Sequence, residues 1–395
     1  MKSEKKELLE FIKTERNRST EFVGQARNYT GDIYLYGAGY HLSFTVQFMQ
    51  KYGLPIKAIL DTNRSGEYYG SPDKGFRNGD EIPIIKFDQF LAERDPMREC
   101  WFVIAAPSAE ESIRKTIGQH FPQACVFSFE VQLYAVYFGL EDIEAYRTYL
   151  LEHKDEILLL YDTLADDKSR ETLVSVLKGR LSGELAYFQG CCVPDQYYPS
   201  DVIHLSEGEV MVELGSYDGG TLLEFIQRCP GYRAAYCFEP DVKLQPQLKA
   251  IEKQQAAQGK QVHVIPKGAW DCSTVLNLSS EGTSKGNTRI LDRGELERSY
   301  TIETAAVDEV VTEPVSYMKM DIEGAEMRAL HGAEKQIREN HPKLAVCVYH
   351  KNEDILEIWD YLRKLVPEYR FYLRHHTMAG AETVLYAVPQ DKGEA

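Results

Sequence analysis

Residues 210 to 221 read Val-Met-Val-Glu-Leu-Gly-Ser-Tyr-Asp-Gly-Gly-Thr. An apolar run carrying Glu213 enters a turn with Gly215, Gly219 and Gly220, and a helical pattern, Leu222-Leu-Glu-Phe-Ile226, follows at once. That order is strand, tight turn, helix. A glycine turn placed there lets the backbone approach a ligand closely and aims free helix N–H groups at it. No lysine sits in the turn, so it is not the triphosphate cradle of a P-loop. The C-terminal sequence reads as further strand–helix units on the same sheet, and the N-terminal sequence as a separate body with a weaker copy of the same idea.

Downstream, apolar runs at 234–238, 262–265, 316–320 and 344–349 read as strands, and 242–256, 327–339 and 353–365 as helices. Shorter strands are expected at 274–278 and 301–305 around a polar loop, and two last strands at 371–373 and 383–388, the final one antiparallel. Strands alternating with helices predict an α/β fold, a doubly wound and mostly parallel sheet that binds ligands at the carboxyl ends of its strands.

Upstream, the strand Asp32–Tyr36 leads into Gly37-Ala-Gly39, and a second strand at 56–60 ends in Asp61. This opens a smaller Rossmann-like domain, although Leu42 stands where a third glycine would complete the dinucleotide fingerprint. A third strand, 101–105, leads into Ala106-Pro-Ser108. Leu8, Leu9, Phe11 and Ile12 form one face of a short N-terminal helix. Residues 141–163 and 166–181 read as long amphipathic helices, with Asp166-Asp167 at the start of the second. The expected division is an N-terminal Rossmann-like domain over 1–135, a helical linker over 136–195 and the larger domain over 196–395.

With 395 residues, the chain is long enough for two or three domains, and a net charge of −16 argues against a nucleic-acid partner. No apolar run approaches the roughly 20 residues of a membrane span. The eight cysteines include no CxxC pair and no regular spacing, which suits reduced thiols in a cytoplasmic protein. Nothing in the composition excludes association of copies.

The strand ends carry the chemistry. They supply Glu213 and the glycine turn, then Glu239, then Gly268-Ala269-Trp270, then Asp321 and Glu323, then His350. Glu239 has two oxygens that match a ribose diol, while Glu213 and Asp218 are expected to face an amino group or a sulfonium. Acids rather than bases around the turn favour S-adenosyl-L-methionine over NAD. The expected cofactor contacts are Glu213, Gly215, Ser216, Tyr217, Asp218, Gly219, Thr221, Glu239, Gly268, Ala269 and Trp270. Tyr197 and Tyr198 either cover the cofactor or pack the linker. His375 and His376 are candidates for the acceptor site.

Four stretches together resemble the FkbM family of S-adenosylmethionine-dependent methyltransferases: Val212-Glu-Leu-Gly-Ser-Tyr-Asp-Gly219, Phe238-Glu-Pro240, Lys319-Met-Asp-Ile-Glu-Gly-Ala-Glu326 and Val348-Tyr-His-Lys351. The resemblance covers about 195–389, with Glu213 where the family commonly has Asp. It implies a class I methyltransferase sheet and methyl transfer to a hydroxyl of a sugar, glycolipid or secondary metabolite. His350 is then the first candidate for the base that takes the acceptor proton, and Asp321 orients it or serves as the alternative base. No metal is expected, although Asp321, Glu323 and His350 are of a type to gather one divalent ion. The competing reading is a scaffold protein that binds a nucleotide or sugar nucleotide, with an inactive methyltransferase fold.

Overall fold

Buried parallel strands need apolar side chains on both faces, and the runs at 210–214, 317–320 and 343–347 supply them. In the computed structural model, which describes residues 2–39, 41–69, 82–106, 109–128, 143–279, 289–290 and 299–390, these runs are the centre of the larger sheet. The expected turn at Pro107-Ser108, the first two residues of the 141–163 helix and most of the 279–300 loop lie outside the described residues.

The chain forms two compact units, one of residues 1–5, 149–176 and 188–395, the other of residues 6–148 and 177–187. In the smaller unit the strands are β1 (Asp32–Tyr36), β2 (Ala58–Asp61), β3 (Glu67–Tyr69), β4 (Ile82–Lys86), β5 (Cys100–Ile104) and β6 (Val126–Ser128). They lie in the order β3-β4-β2-β1-β5-β6, all parallel except the edge strand β3. Asp61 is already engaged by its own chain. Its carboxylate accepts the Ala38 N–H at 2.9 Å and those of Asn63 and Arg64 at 2.8 and 3.0 Å, and the Arg64 guanidinium donates to the Ala38 carbonyl at 2.6 Å.

The larger unit adds β7 (Val210–Leu214), β8 (Ala234–Phe238), β9 (Gln261–Ile265), β10 (Gly268–Ala269), β11 (Val275–Ser279), β12 (Arg289–Ile290), β13 (Ser299–Ala305), β14 (Tyr317–Met320), β15 (Lys343–Cys347), β16 (Tyr369–His375) and β17 (Thr383–Pro389). Seven of these form one sheet in the order β16-β17-β15-β14-β7-β8-β9. Only β17 runs against its neighbours, as expected for the last strand. The chain moves outward from β7 through β8 to β9 and returns to β14 on the other side of β7. The carboxyl ends of β7 and β14 are therefore the point where strand order reverses, which is where such sheets bind ligands. Between β9 and β14, β11 and β13 pair antiparallel as an excursion from the sheet.

Two helical readings need correction. The pattern at 141–163 is two helices, Ile143–Glu152 and Lys154–Thr163, and that at 327–339 is Glu326–Gly332 followed by Glu334–Asn340. The helix Asp167–Ser182 begins as its sequence suggests, with the Asp166 carboxylate accepting the Ser169 N–H at 2.7 Å. The same carboxylate receives the guanidinium of Arg374, a side chain with no exposed surface, which also reaches Asp201 at 3.0 Å.

Candidate functional site

Gly215 ends β7 with a φ of +81°, and a Cβ there would lie 1.9 Å from the Asp321 carbonyl oxygen. Only glycine lets the two strand ends approach so closely in that conformation. The turn continues through Tyr217, at φ +45°, and Gly219, at φ +83°, into the helix Gly220–Arg228. Asp218 closes it by accepting the Gly220 N–H at 3.0 Å. Ser216 is buried, its hydroxyl against the Glu213 carboxyl and the Cys237 thiol. Thr221 is held through its carbonyl, which accepts the Tyr198 hydroxyl at 3.2 Å.

Glu239, at the end of β8, reaches back to this turn. One carboxylate oxygen accepts the Tyr217 N–H and the other the Asp241 N–H, each at 2.9 Å. A carboxylate has about four acceptor positions, so lone pairs remain for two further donors. Burial raises its pKa above the usual carboxylate value. Gly268 and Ala269 form β10 beside β13, and the Trp270 N–H donates to Ala305 at 3.0 Å while its ring lies 5.4 Å from the Arg328 guanidinium.

The structure places Glu213 beneath the turn. Its side chain has no exposed surface, so it does not present a carboxylate to the open face, contrary to the expectation that it meets an amino group. In the sheet register it stands between Lys319 of β14 and Cys237 of β8. Lys319 is the residue that sequence reasoning passed over. Its ammonium donates to the Gly215 carbonyl at 2.7 Å and lies 4.9 Å from the centre of the Tyr197 ring. A lysine inside an otherwise apolar strand is the signal that would have found it.

Burial pushes the Glu213 carboxyl up to about 7, against the pull of Lys319. A carboxyl that titrates near 7 folded and near 4.5 unfolded contributes stability that is complete below the lower value. That stability is lost as pH rises through the upper one, about 3 kcal/mol in all. Glu213→Gln removes this loss. Relative to wild type the variant should gain about 3 kcal/mol between pH 5 and pH 8 in urea unfolding followed by circular dichroism. Parallel profiles for the two proteins would contradict it.

A second half-site lies at the ends of β14 and β15. Asp321 accepts the hydroxyls of Tyr197 at 2.7 Å and Tyr349 at 3.2 Å, and its N–H donates to Leu214 at 3.1 Å. Burial works against its charge, but Lys319 and His350 hold its pKa below the usual value. The same Tyr349 hydroxyl lies 3.2 Å from Glu382, so its one proton is shared between the two carboxylates, and Gln196 donates to the other oxygen of Glu382. His350 is enclosed: Nδ1 is 2.9 Å from Glu326 Oε1, and Nε2 is 3.5 Å from Asp321 and 3.7 Å from Glu323. Burial disfavours a charged ring, yet these three carboxylates push its pKa up to about 10. Both nitrogens face carboxylates, Nδ1 toward Glu326 and Nε2 toward Asp321 and Glu323.

His375 and His376 do not open toward this half-site. His375 pairs with Thr383 and the Ala379 carbonyl, and His376 with the Val193 carbonyl and the Tyr386 hydroxyl. Tyr197 sits at φ +69° and gives its hydroxyl to Asp321. Tyr198 is fully buried. No helix among the described residues is long and apolar enough to cross a membrane.

Residues 213–371 match the family model described as the methyltransferase FkbM domain. Among solved structures, the chain is similar to methyltransferase FkbM from Methylobacillus flagellatus KT, at 22% identity over 94% of each chain and a TM-score of 0.72. That likeness shows the shared fold. An rRNA methylase from Streptococcus thermophilus matches at 12% identity over 47% of this chain and 90% of its own, with a TM-score of 0.31. Aeropyrum pernix fibrillarin, solved with natively bound S-adenosyl-L-methionine, matches at 13% identity over 47% and 70%, with a TM-score of 0.30. These last two are too distant in structure to carry an argument. No curated protein matches the chain.

Proposed function

We propose, from the FkbM methyltransferase domain that residues 213–371 carry, that the protein transfers a methyl group from S-adenosylmethionine to a hydroxyl oxygen of a sugar, glycolipid or secondary metabolite. The observation that carries the reading is the pairing of two half-sites where strand order reverses, with Glu239 and the glycine turn on one side and Asp321 on the other.

The residues fit this donor. Glu239 retains acceptor capacity for a ribose diol after taking the Tyr217 and Asp241 N–H groups. The turn from Gly215 to Thr221 would admit the methionyl part, and Gly268, Ala269 and Trp270 would lie along its adenine. When bound, S-adenosylmethionine supplies a sulfonium methyl open to in-line displacement. Holding the acceptor in line with it contributes several kcal/mol through orientation. Glu213 and Lys319 act from behind the turn as positioning residues, since Lys319 fixes the Gly215 carbonyl.

Asp321 takes the role of holding the acceptor hydroxyl and receiving its proton. Its side chain is 23% exposed, so it is reachable, and the Tyr197 and Tyr349 hydroxyls fix its orientation. Incubation with tritiated S-adenosylmethionine and a panel of sugars, glycolipids and small hydroxylated metabolites tests the reading. Transfer that survives mild base identifies an ether rather than an ester. In Asp321→Asn, turnover should fall about 100-fold or more while S-adenosylhomocysteine affinity stays within a few-fold. A variant with full turnover would remove Asp321 from the chemistry.

A further inference from the structure

The cluster behind Asp321 is built differently from the rest of the site. Glu326 begins the helix Glu326–Gly332 and has no exposed surface, a costly position for a carboxylate. One of its oxygens accepts the Ile322 N–H at 3.0 Å and lies 2.9 Å from His350 Nδ1. The other, Oε2, is buried without a hydrogen-bond partner among the described residues. Asp321, Glu326 and His350 each offer one donor atom, and the three atoms lie within 4.8 Å of one another. Two oxygens and one imidazole nitrogen at that spacing are close to the spread of ligands around an ion with bonds of about 2.1 Å. Glu323 adds a fourth donor, 3.7 Å from His350 Nε2.

We propose that Asp321, Glu326 and His350 form a binding site for one divalent cation, with Glu323 beside it. The neighbouring group of Asp321, Cys347 and Glu382 is a weaker candidate, because neither of its carboxylates has a buried oxygen without a hydrogen-bond partner among the described residues, as Glu326 has. In the proposed site the closed side is formed by Glu326 and His350, with side-chain exposures of 0% and 1%. The open side is formed by Asp321 and Glu323, at 23% and 29%. A cation held this way keeps positions toward the open side. There it could coordinate a hydroxyl and lower its pKa; that consequence, unlike the binding itself, rests on the methyl-transfer reading.

The test uses Mn²⁺ as the probe and no methyl donor, so its outcome is separate from that of the proposed activity. Chelator-stripped full-length protein is titrated with Mn²⁺ by calorimetry, and the bound ion is examined by pulsed electron paramagnetic resonance. One ion per chain with a nitrogen coupling from imidazole is expected. Affinity should fall at least 30-fold in Glu326→Gln and in His350→Gln. No binding by wild type at millimolar Mn²⁺, or a bound ion without nitrogen coupling, overturns the proposal even if neither variant folds. Unchanged affinity in a folded variant overturns it too. Binding of S-adenosylhomocysteine in the absence of Mn²⁺ binding would leave the donor site standing and sink only the cation site.

Discussion

Gly215→Ala abolishes measurable binding of S-adenosylhomocysteine and lowers stability by about 3 kcal/mol or more. Two costs add. The residue sits at φ +81°, which a side chain disfavours, and the new Cβ would lie 1.9 Å from the Asp321 carbonyl oxygen. That oxygen is backbone, so no rotamer change relieves the contact. Either the turn lifts from β14 or the Asp321 segment moves, and each separates the two half-sites. Isothermal titration and thermal melting of the variant check both effects together. Wild-type affinity in a normally folded variant would mean that the close approach of β7 and β14 is not what assembles the site.

Lys319→Met is the second large effect. Lys319 is 3% exposed, stands opposite Glu213 in the sheet register, and donates its ammonium to the Gly215 carbonyl. Burial works against its charge, but Asp321 and Glu213 raise its pKa above the ordinary lysine value. Removing a buried charge that neighbouring carboxylates face leaves those carboxylates uncompensated, which costs about 3–5 kcal/mol. The double variant Glu213→Gln with Lys319→Met removes both charges and should recover about 1–3 kcal/mol of that loss. Urea unfolding of the four proteins completes the cycle. Additive losses would show that the two residues do not act as a pair. The single variant should also bind S-adenosylhomocysteine at least tenfold more weakly, because the Gly215 carbonyl loses its anchor.

The larger sheet is legible in the sequence because parallel strands buried on both faces leave continuous apolar runs, and β7, β8, β14 and β15 all do so. The glycine turn, Glu239 and the Asp321 segment are legible for a related reason, since strand ends are where such sheets carry polar residues. What is not legible depends on contacts across the fold. Glu326 and His350 are separated by 24 positions, and nothing local says that one encloses the other. The burial of Glu213 and the reach of Lys319 to Gly215 follow from register, which the separate strands do not state. Tyr197 is ambiguous as a sequence residue, because an aromatic side chain suits packing and ligand contact equally. In the fold its hydroxyl lies 2.7 Å from Asp321. The helix breaks at His153 and Ala333 fall inside patterns whose apolar spacing continues across them.

In the proposed function, Glu239 and the turn after β7 hold the methyl donor. Calorimetric titration of S-adenosylhomocysteine into wild type and Glu239→Ala tests it most directly. The expected result is one equivalent bound by wild type and at least 100-fold weaker binding, about 2.7 kcal/mol, in a variant with an unchanged circular dichroism spectrum. Absence of binding to the wild-type chain, or equal affinity in the two proteins, would contradict it.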